Sequence, residues 1–435
     1  MKITILDGQN SKENHNWAAY LEELVKELTG RGHDVAHFVL MDQDIHACTG
    51  CFNCWVKTPG MCVIADDSRE INRRTIQSDF VLWASPLVMG YPSAYLKNKM
   101  DRTIPLLHPY FEIVEGETHH RKRYQKYPLL GLLYQPETDT PMADIQIMEE
   151  MFSRAAFNLR SRLTFSMPFS EKPSQVADAI DHAQALNYKP GMTAVTIPFA
   201  RITPPKKLLV INGSPRVERS ISAFLMNKFA DGFQSVQGTS VEMIHLAKTK
   251  DKITLVQKYK QADCVMLAFP LYVDAMPGIV KEFIELLSPL AGREGNPPIG
   301  FLVQSGFPEA VHSRSVEKYL AQLTVRLNSP YLGTILRGGC GSVTIAPEIF
   351  NRRIFITLNE LGEQLAQQGG FDPQTIRKFA SLERFSKADV AVRKITSKTP
   401  LMQFYWQGLL RQNKAFDQRF NRPYLESDNV VEKIV

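Results

Sequence analysis

The chain has 435 residues, 44% apolar and 22% charged, the balance of an ordinary soluble globular protein with room for two or three domains. No run of 18 apolar residues occurs, so no membrane-spanning helix is expected. A net charge of +6 spread over the whole length is too mild to argue for a nucleic-acid partner.

The opening MKITILDGQ predicts a strand over residues 2–6 ending in the turn Asp7-Gly8. It lacks the basic head and long apolar stretch of a signal peptide, so a cytoplasmic location is expected. Trp17, Tyr20, Leu21, Leu24, Val25 and Leu28 then recur on one helical face, and Gly30 and Gly32 stop the helix. Further strands are predicted at Val35–Leu40 and Phe80–Ala84. The basic run His119–Arg123 reads as a solvated loop before a strand at 128–134. Strand–helix–strand alternation implies a parallel sheet covered on both faces.

The same organisation restarts near residue 206. Lys207–Ile211 is a short apolar strand ending in Asn212-Gly213-Ser214-Pro215-Arg216; a helix follows through Phe224, Leu225, Phe229 and Phe233, then a strand at Val265–Phe269. The expected fold class is therefore α/β, with two flavodoxin-like doubly wound parallel-sheet domains in tandem and an α-helical C-terminal tail. The expected boundaries are 1–187 for the first domain, 188–206 for a proline-rich linker, 207–347 for the second domain and 348–435 for the tail. Phe404, Tyr405, Trp406, Leu409 and Leu410 in that tail are expected to pack on the chain's own domains or a second subunit rather than on a membrane.

In an open parallel sheet, ligands bind outside the carboxyl ends of the strands where strand order reverses. The loops after the first and third strands are therefore the candidates. In the second copy, Ser214, Pro215, Arg216, Ser220 and Ser222 combine hydroxyls, a helix start and a cation, which suits a phosphate monoester or a simple capped helix. Its later loop is Pro270, Leu271, Tyr272, Val273 and Asp274; the first copy has Pro86, Leu87, Val88, Met89 and Gly90. Ser85-Pro86-x-x-x-Gly90-x-x-Ser93-x-x-Leu96-Lys97, ending in Asp101-Arg102, resembles the isoalloxazine-contacting loop of the flavodoxin-like NAD(P)H-dependent FMN reductases. Gly213-Ser214-Pro215-Arg216 is similar to that family's FMN phosphate loop. The resemblance implies FMN as cofactor and NAD(P)H as electron donor. Each copy departs from it: the first has Asp7-Gly8-Gln9-Asn10-Ser11 for the phosphate loop, and the second has Asp274 for the glycine and lacks the Leu-Lys…Asp-Arg ending.

Four of the six cysteines, Cys48, Cys51, Cys54 and Cys62, form one cluster inserted in the first copy after its second strand. Three thiols three residues apart can wrap a short loop around one inorganic centre. Zinc, whose knuckles are usually separate pairs, and four reduced thiols are the alternatives. The segment 47–67 resembles the cluster motif of the iron–sulfur flavoproteins, which implies a 4Fe–4S cluster on these four cysteines. Cys264 and Cys340 are expected to take no part. The expected function is that of an FMN-dependent oxidoreductase or electron-transfer flavoprotein, exchanging electrons with a small-molecule or protein partner, with a homodimer as an open expectation. A clusterless flavin or quinone reductase and a scaffold without cofactor are the alternatives.

Overall fold

The computed structural model describes residues 1–191, 197–396 and 400–425. It divides into two compact units, Met1–Met192 with Ser386–Val435, and Thr193–Phe385. Part of the expected linker, 192–196, lies outside the described residues, as does the tail beyond 425.

In the first unit the order is β1 (Lys2–Asp7), α1 (His15–Gly30), β2 (Asp34–Val39), α2 (Asn53–Val56), α3 (Ser68–Gln77), β3 (Phe80–Val88), β4 (Tyr91–Pro92), α4 (Ala94–Asp101), β5 (Leu107–Val114), β6 (Glu117–Lys122), β7 (Leu129–Gln135), α5 (Met142–Asn158), β8 (Leu163–Pro168) and α6 (Pro173–Asp181). Parallel strands run β2-β1-β3-β7-β8, so the order reverses at β1. That is the flavodoxin-like arrangement, with its switch point between the first and third strands. The predicted face of α1 is the buried one: Trp17, Leu21, Leu24 and Leu28 pack with Val176 and Ile180 of α6 on Ile3, Ile5, Leu82 and Ala84. Trp83 points to the opposite face, where Phe152 of α5 meets it at 5.3 Å. Strands buried on both faces account for the apolar runs seen in the sequence.

Two local features depart from expectation. β4 returns antiparallel to β3, and β5 and β6 form an antiparallel hairpin outside the main sheet. The basic run 119–123 is consequently no solvated loop: His119 lies within β6, and both it and Arg123 are buried.

The second unit repeats the pattern as β9 (Lys207–Asn212), α7 (Ile221–Gln234), β10 (Ser240–His245), α8 (Lys252–Gln261), β11 (Cys264–Pro270), α9 (Gly278–Leu286), β12 (Ile299–Gln304), α10 (Val311–Arg326) and β13 (Tyr331–Arg337). Its parallel sheet runs β10-β9-β11-β12-β13. Two of the C-terminal helices, α11 (Glu348–Gln368) and α12 (Pro373–Phe379), complete this unit. Leu358, Leu361 and Leu365 of α11 lie against Phe229 and Phe233 of α7. Gly232 and Gly362 permit that crossing: a Cβ on either would stand about 2 Å from a backbone oxygen of the facing helix. The remaining helices, α13 (Lys387–Thr396) and α14 (Pro400–Gln412), belong to the first unit.

Candidate functional site

The two copies can be superposed residue by residue at the switch point. The Gly8 N–H donates to the Ala84 carbonyl and the Gly213 N–H to the Ala268 carbonyl, each at 2.7 Å. From these anchors, Pro86 corresponds to Pro270, Leu87 to Leu271, Val88 to Tyr272, Met89 to Val273 and Gly90 to Asp274. Both turns use positive φ at the last two positions: 53° and 75° in the first copy, 49° and 52° in the second. Asp274 therefore adopts the left-handed conformation that glycine takes in the first copy, which asparagine and aspartate tolerate better than most side chains. The Tyr272 and Ala275 N–H groups each donate to the other's carbonyl, closing the second turn on itself.

The two serines of the first motif have a structural task. The Ser93 hydroxyl donates to the Gly8 carbonyl at 2.6 Å and accepts from the Leu96 N–H as the cap of α4; the Ser85 hydroxyl accepts from the Ser93 N–H. They lock the first loop to the third. In the second copy Phe269 and Pro277 stand at these positions, and Val280 occupies the space beside Gly213, 2.2 Å from an ideal Cβ there.

The phosphate-type loops differ in charge. In the first copy the carboxylate of buried Asp7 accepts from the Gln9 N–H and the Trp17 indole N–H, both at 2.8 Å, with His37 Nε2 3.3 Å from its other oxygen. A fixed buried carboxylate and an indole fill the loop, which opposes a phosphate. The ring-edge turn is also engaged: the Met89 and Gly90 N–H groups donate to the Glu137 carboxylate at 2.8 and 2.9 Å. In the second copy neutral Asn212 replaces Asp7. Its amide donates to the Val217 carbonyl and contacts the Ser220 hydroxyl and His245, while its oxygen accepts from the Ser214 N–H. Ser220 caps α7 through the Ala223 N–H, Ser222 is buried beside Gln304, and Pro215 and Arg216 lie at the part-exposed rim.

The Leu-Lys…Asp-Arg ending has a counterpart that the sequence comparison missed. Lys97 pairs with Asp101, and Lys281 pairs with Glu285 at 2.8 Å, both lysines fully buried. Glu substitutes for Asp, and Val280 for Leu96. Only Arg102 is unmatched, and its partner explains why. Its guanidinium grips Asp66 bidentately at 2.7 and 2.8 Å and bonds the His46 carbonyl. Burial pushes the Asp66 carboxyl up, but the hydrogen bonds from Arg102 and the His46 N–H outweigh it and hold it below its usual value. Arg102 thus ties down the cysteine loop, which the second copy does not have.

Cys48, Cys51, Cys54 and Cys62 line one small recess, partly open to solvent, with Phe52, Ile64 and Ile104. Left-handed conformations at Gly50 and Phe52 coil the loop there. All four are free thiols; Cys54 is buried and Cys51 exposed. Burial, with a smaller contribution from the neighbouring thiols, pushes Cys54 well above the ordinary thiol value, and burial pushes Cys48 up to about 12. Without a bound centre these two thiols keep their protons. Among the described residues no three His, Cys, Asp or Glu side chains stand in position to hold one metal ion together. Cys264 lies in β11 and Cys340 in a short turn, both buried in the second unit.

A further group emerged only from the structure. His312, fully buried, has Asp274 at 3.6 Å and Glu309 at 3.7 Å. Its spacing in sequence carries no signal, because the contact joins the β11 turn to α10.

Residues 1–125 match the family model "NADPH-dependent FMN reductase", and residues 206–288 match the "Flavodoxin-like fold" model. An iron–sulfur flavoprotein of Methanocaldococcus jannaschii is 32% identical over 106 residues, 24% of this chain and 53% of that protein. One from Archaeoglobus fulgidus is 36% identical over 93 residues, 21% of this chain and 41% of that protein. The alignments thus span about half the length of these curated relatives. Among solved structures, an FMN-dependent NADH-azoreductase from Bacillus anthracis is 15% identical, with 37% of this chain and all of that chain covered and a TM-score of 0.30. Among the described residues no helix is long and apolar enough to cross a membrane. The chain carries, in tandem, a domain of the NADPH-dependent FMN reductase family and a domain of flavodoxin-like fold.

Proposed function

We propose that the protein is an FMN-dependent oxidoreductase whose first domain also carries an iron–sulfur centre. The observation that carries the flavin reading is the pair of second-copy loops, 213–222 and 269–277, at the carboxyl edge of a doubly wound sheet. There the donor set fits a phosphate monoester: the Ser214 and Ser222 hydroxyls, the Arg216 cation, the start of the 14-residue helix α7, whose cap Ser220 gives its hydroxyl proton to the Val217 carbonyl and so fixes the loop, and a neutral hub at Asn212 in place of a carboxylate. Pro270–Asp274 would flank the ring. FMN, when bound, supplies the hydride and electron chemistry; the chain's residues bind it, orient it and tune its surroundings. The first copy's Pro86–Gly90 turn is the weaker candidate, because Glu137 already takes its N–H groups. NAD(P)H is the proposed donor, with small-molecule acceptors in keeping with the family.

The chemistry of the donor set supports the cluster: four free thiols on one recess, on a domain that resembles iron–sulfur flavoproteins. Cys48, Cys51, Cys54 and Cys62 would be its ligands, as thiolates. A polynuclear centre needs its ligands spread more widely than one ion does. A clusterless NAD(P)H-dependent flavin or quinone reductase is the second reading, favoured by the match of residues 1–125, the cysteine loop included, to the "NADPH-dependent FMN reductase" model.

The test is anaerobic purification of the full chain, followed by heat release and chromatography of flavin and by iron and sulfide analysis. FMN with iron and sulfide is expected. FAD, or no flavin after reconstitution, overturns the flavin reading; zinc, or no iron, overturns the cluster and leaves the clusterless reductase.

A further inference from the structure

The end of the described chain returns to the cysteine loop and encloses it. Phe52 and Trp55, on either side of Cys54, stack at 5.0 Å and 19°. Trp406 of α14 sets its edge against both, 5.5 Å from Phe52 and 5.3 Å from Trp55. Pro423 closes over the turn before Cys62: a Cβ on Gly60 would lie 2.7 Å from its Cδ, and φ there is +96°. Tyr424 is buried in a cluster with Met61, Leu106 and Tyr124, and its carbonyl accepts from Gln77 at 2.8 Å.

Beneath this segment lies Arg123, 1% exposed. Its guanidinium donates to the carbonyls of Pro105 (3.0 Å), Leu107 (3.4 Å), Asn421 (2.9 Å) and Arg419 (3.3 Å). Arg422 in turn donates to the Arg123 carbonyl at 2.8 Å. Among the described residues Arg123 pairs with no carboxylate, whereas buried Arg102 has Asp66 and buried Lys97 has Asp101. A buried guanidinium with carbonyl partners alone is costly, because no opposite charge offsets its desolvation. Its Leu107 carbonyl partner also accepts from the Trp55 indole N–H at 3.0 Å, and Trp55 directly follows Cys54 in the chain. Four thiolates around an iron–sulfur centre would carry net negative charge and supply what is missing.

We propose that residues 400–425 are a structural part of the cysteine centre: they seal its loop through Trp406 and Pro423, and their carbonyls hold Arg123 as the buried counter-cation of the thiolates. The counter-cation half rests on the iron–sulfur reading above; the sealing half does not. A fixed cation makes it easier to add an electron to an anionic centre, so Arg123 raises the centre's potential. As a positioning residue it touches no substrate.

Two measurements on the full chain separate the halves. In the metal-free, reduced protein, alkylation by iodoacetamide is followed cysteine by cysteine. Trp406→Ala is expected to speed labelling of Cys54 at least tenfold by favouring local opening. Cys264, buried in the second unit's sheet, should label at the wild-type rate, and an unchanged urea midpoint reports that the first unit stays folded. An unchanged Cys54 rate overturns the seal. In the reconstituted protein, redox titration of the centre compares wild type, Arg123→Lys and Arg123→Gln at equal iron content. The glutamine variant should titrate at lower potential than wild type, with lysine between them. Equal potentials for all three overturn the counter-cation role. Wild-type protein that holds no iron overturns that half together with the cluster reading, while the labelling result still decides the seal.

Discussion

Gly362→Ala places a methyl group where α11 meets α7. The new Cβ would stand 2.0 Å from the Phe229 carbonyl oxygen and 2.7 Å from the Phe233 nitrogen, both backbone atoms of the facing helix. No side-chain rotation relieves such a contact. Real Cβ atoms keep at least 3.0 Å, so the helices must part by about 1 Å at this point. The gap opens within the cluster of Phe229, Phe233, Leu358, Leu361 and Leu365. Overpacking of this kind costs about 1–3 kcal/mol, occasionally more. Alanine's better helix propensity returns about 1 kcal/mol. A net loss of about 1 kcal/mol, rising to about 2 at the upper end of that cost, is expected, visible as a lower denaturant midpoint. Gly408→Ala supplies the control: the same chemical change at an exposed position of α14, with nothing within 4 Å, should stabilise by about 0.5–1 kcal/mol. Gly232→Ala meets the Asn359 oxygen at 1.9 Å in the same crossing, so combined with Gly362→Ala it should cost less than the sum of the two. A Gly362→Ala protein as stable as wild type would refute the close crossing.

Burial, with Arg102 adding to it, lowers the pKa of Lys99 to about 7, while Asp66 acts the other way. Above pH 7 the unfolded chain therefore keeps a proton that the folded chain has lost, and wild-type stability rises with pH on that account until the unfolded lysine titrates. Lys99→Met lacks this rise, so from pH 7 to pH 9 the stability difference should move toward wild type by about 2 kcal/mol, as read by urea titration; parallel profiles would count against it. Cys51→Ser should abolish iron binding and leave FMN bound, whereas Cys264→Ser should do neither; iron analysis beside the flavin spectrum checks both. Arg216→Ala should weaken FMN binding to the apoprotein by roughly tenfold through loss of a charge-assisted bond, measured by quenching of flavin fluorescence. An unchanged affinity would move the phosphate away from the second copy's loop. Ser220→Ala should cost about 1 kcal/mol of stability by removing the cap of α7.

What the sequence determines by itself here is local and periodic. The buried face of α1, the apolar strands β1, β3, β9 and β11, and helix α11 were all legible because side-chain period reports secondary structure directly. Right-handed crossovers between parallel strands then leave few topologies, so the tandem sheets and their switch-point loops followed. Only the tertiary structure decided which polar groups meet. The Lys281–Glu285 pair was hidden because Glu replaces Asp and the flanking arginine is absent, although the buried geometry is the same. The engagement of the first copy's turn by Glu137 joins residues 47 or more positions apart. The hairpin that buries His119 escaped because a run of five His, Lys and Arg residues carries the composition of a solvated loop; contacts from elsewhere in the fold override that composition. The meeting of Trp406 and Asn421 with the cysteine loop and Arg123 spans some three hundred residues of sequence. Such contacts leave no period or spacing to read, because they exist only once both segments have folded onto the same domain.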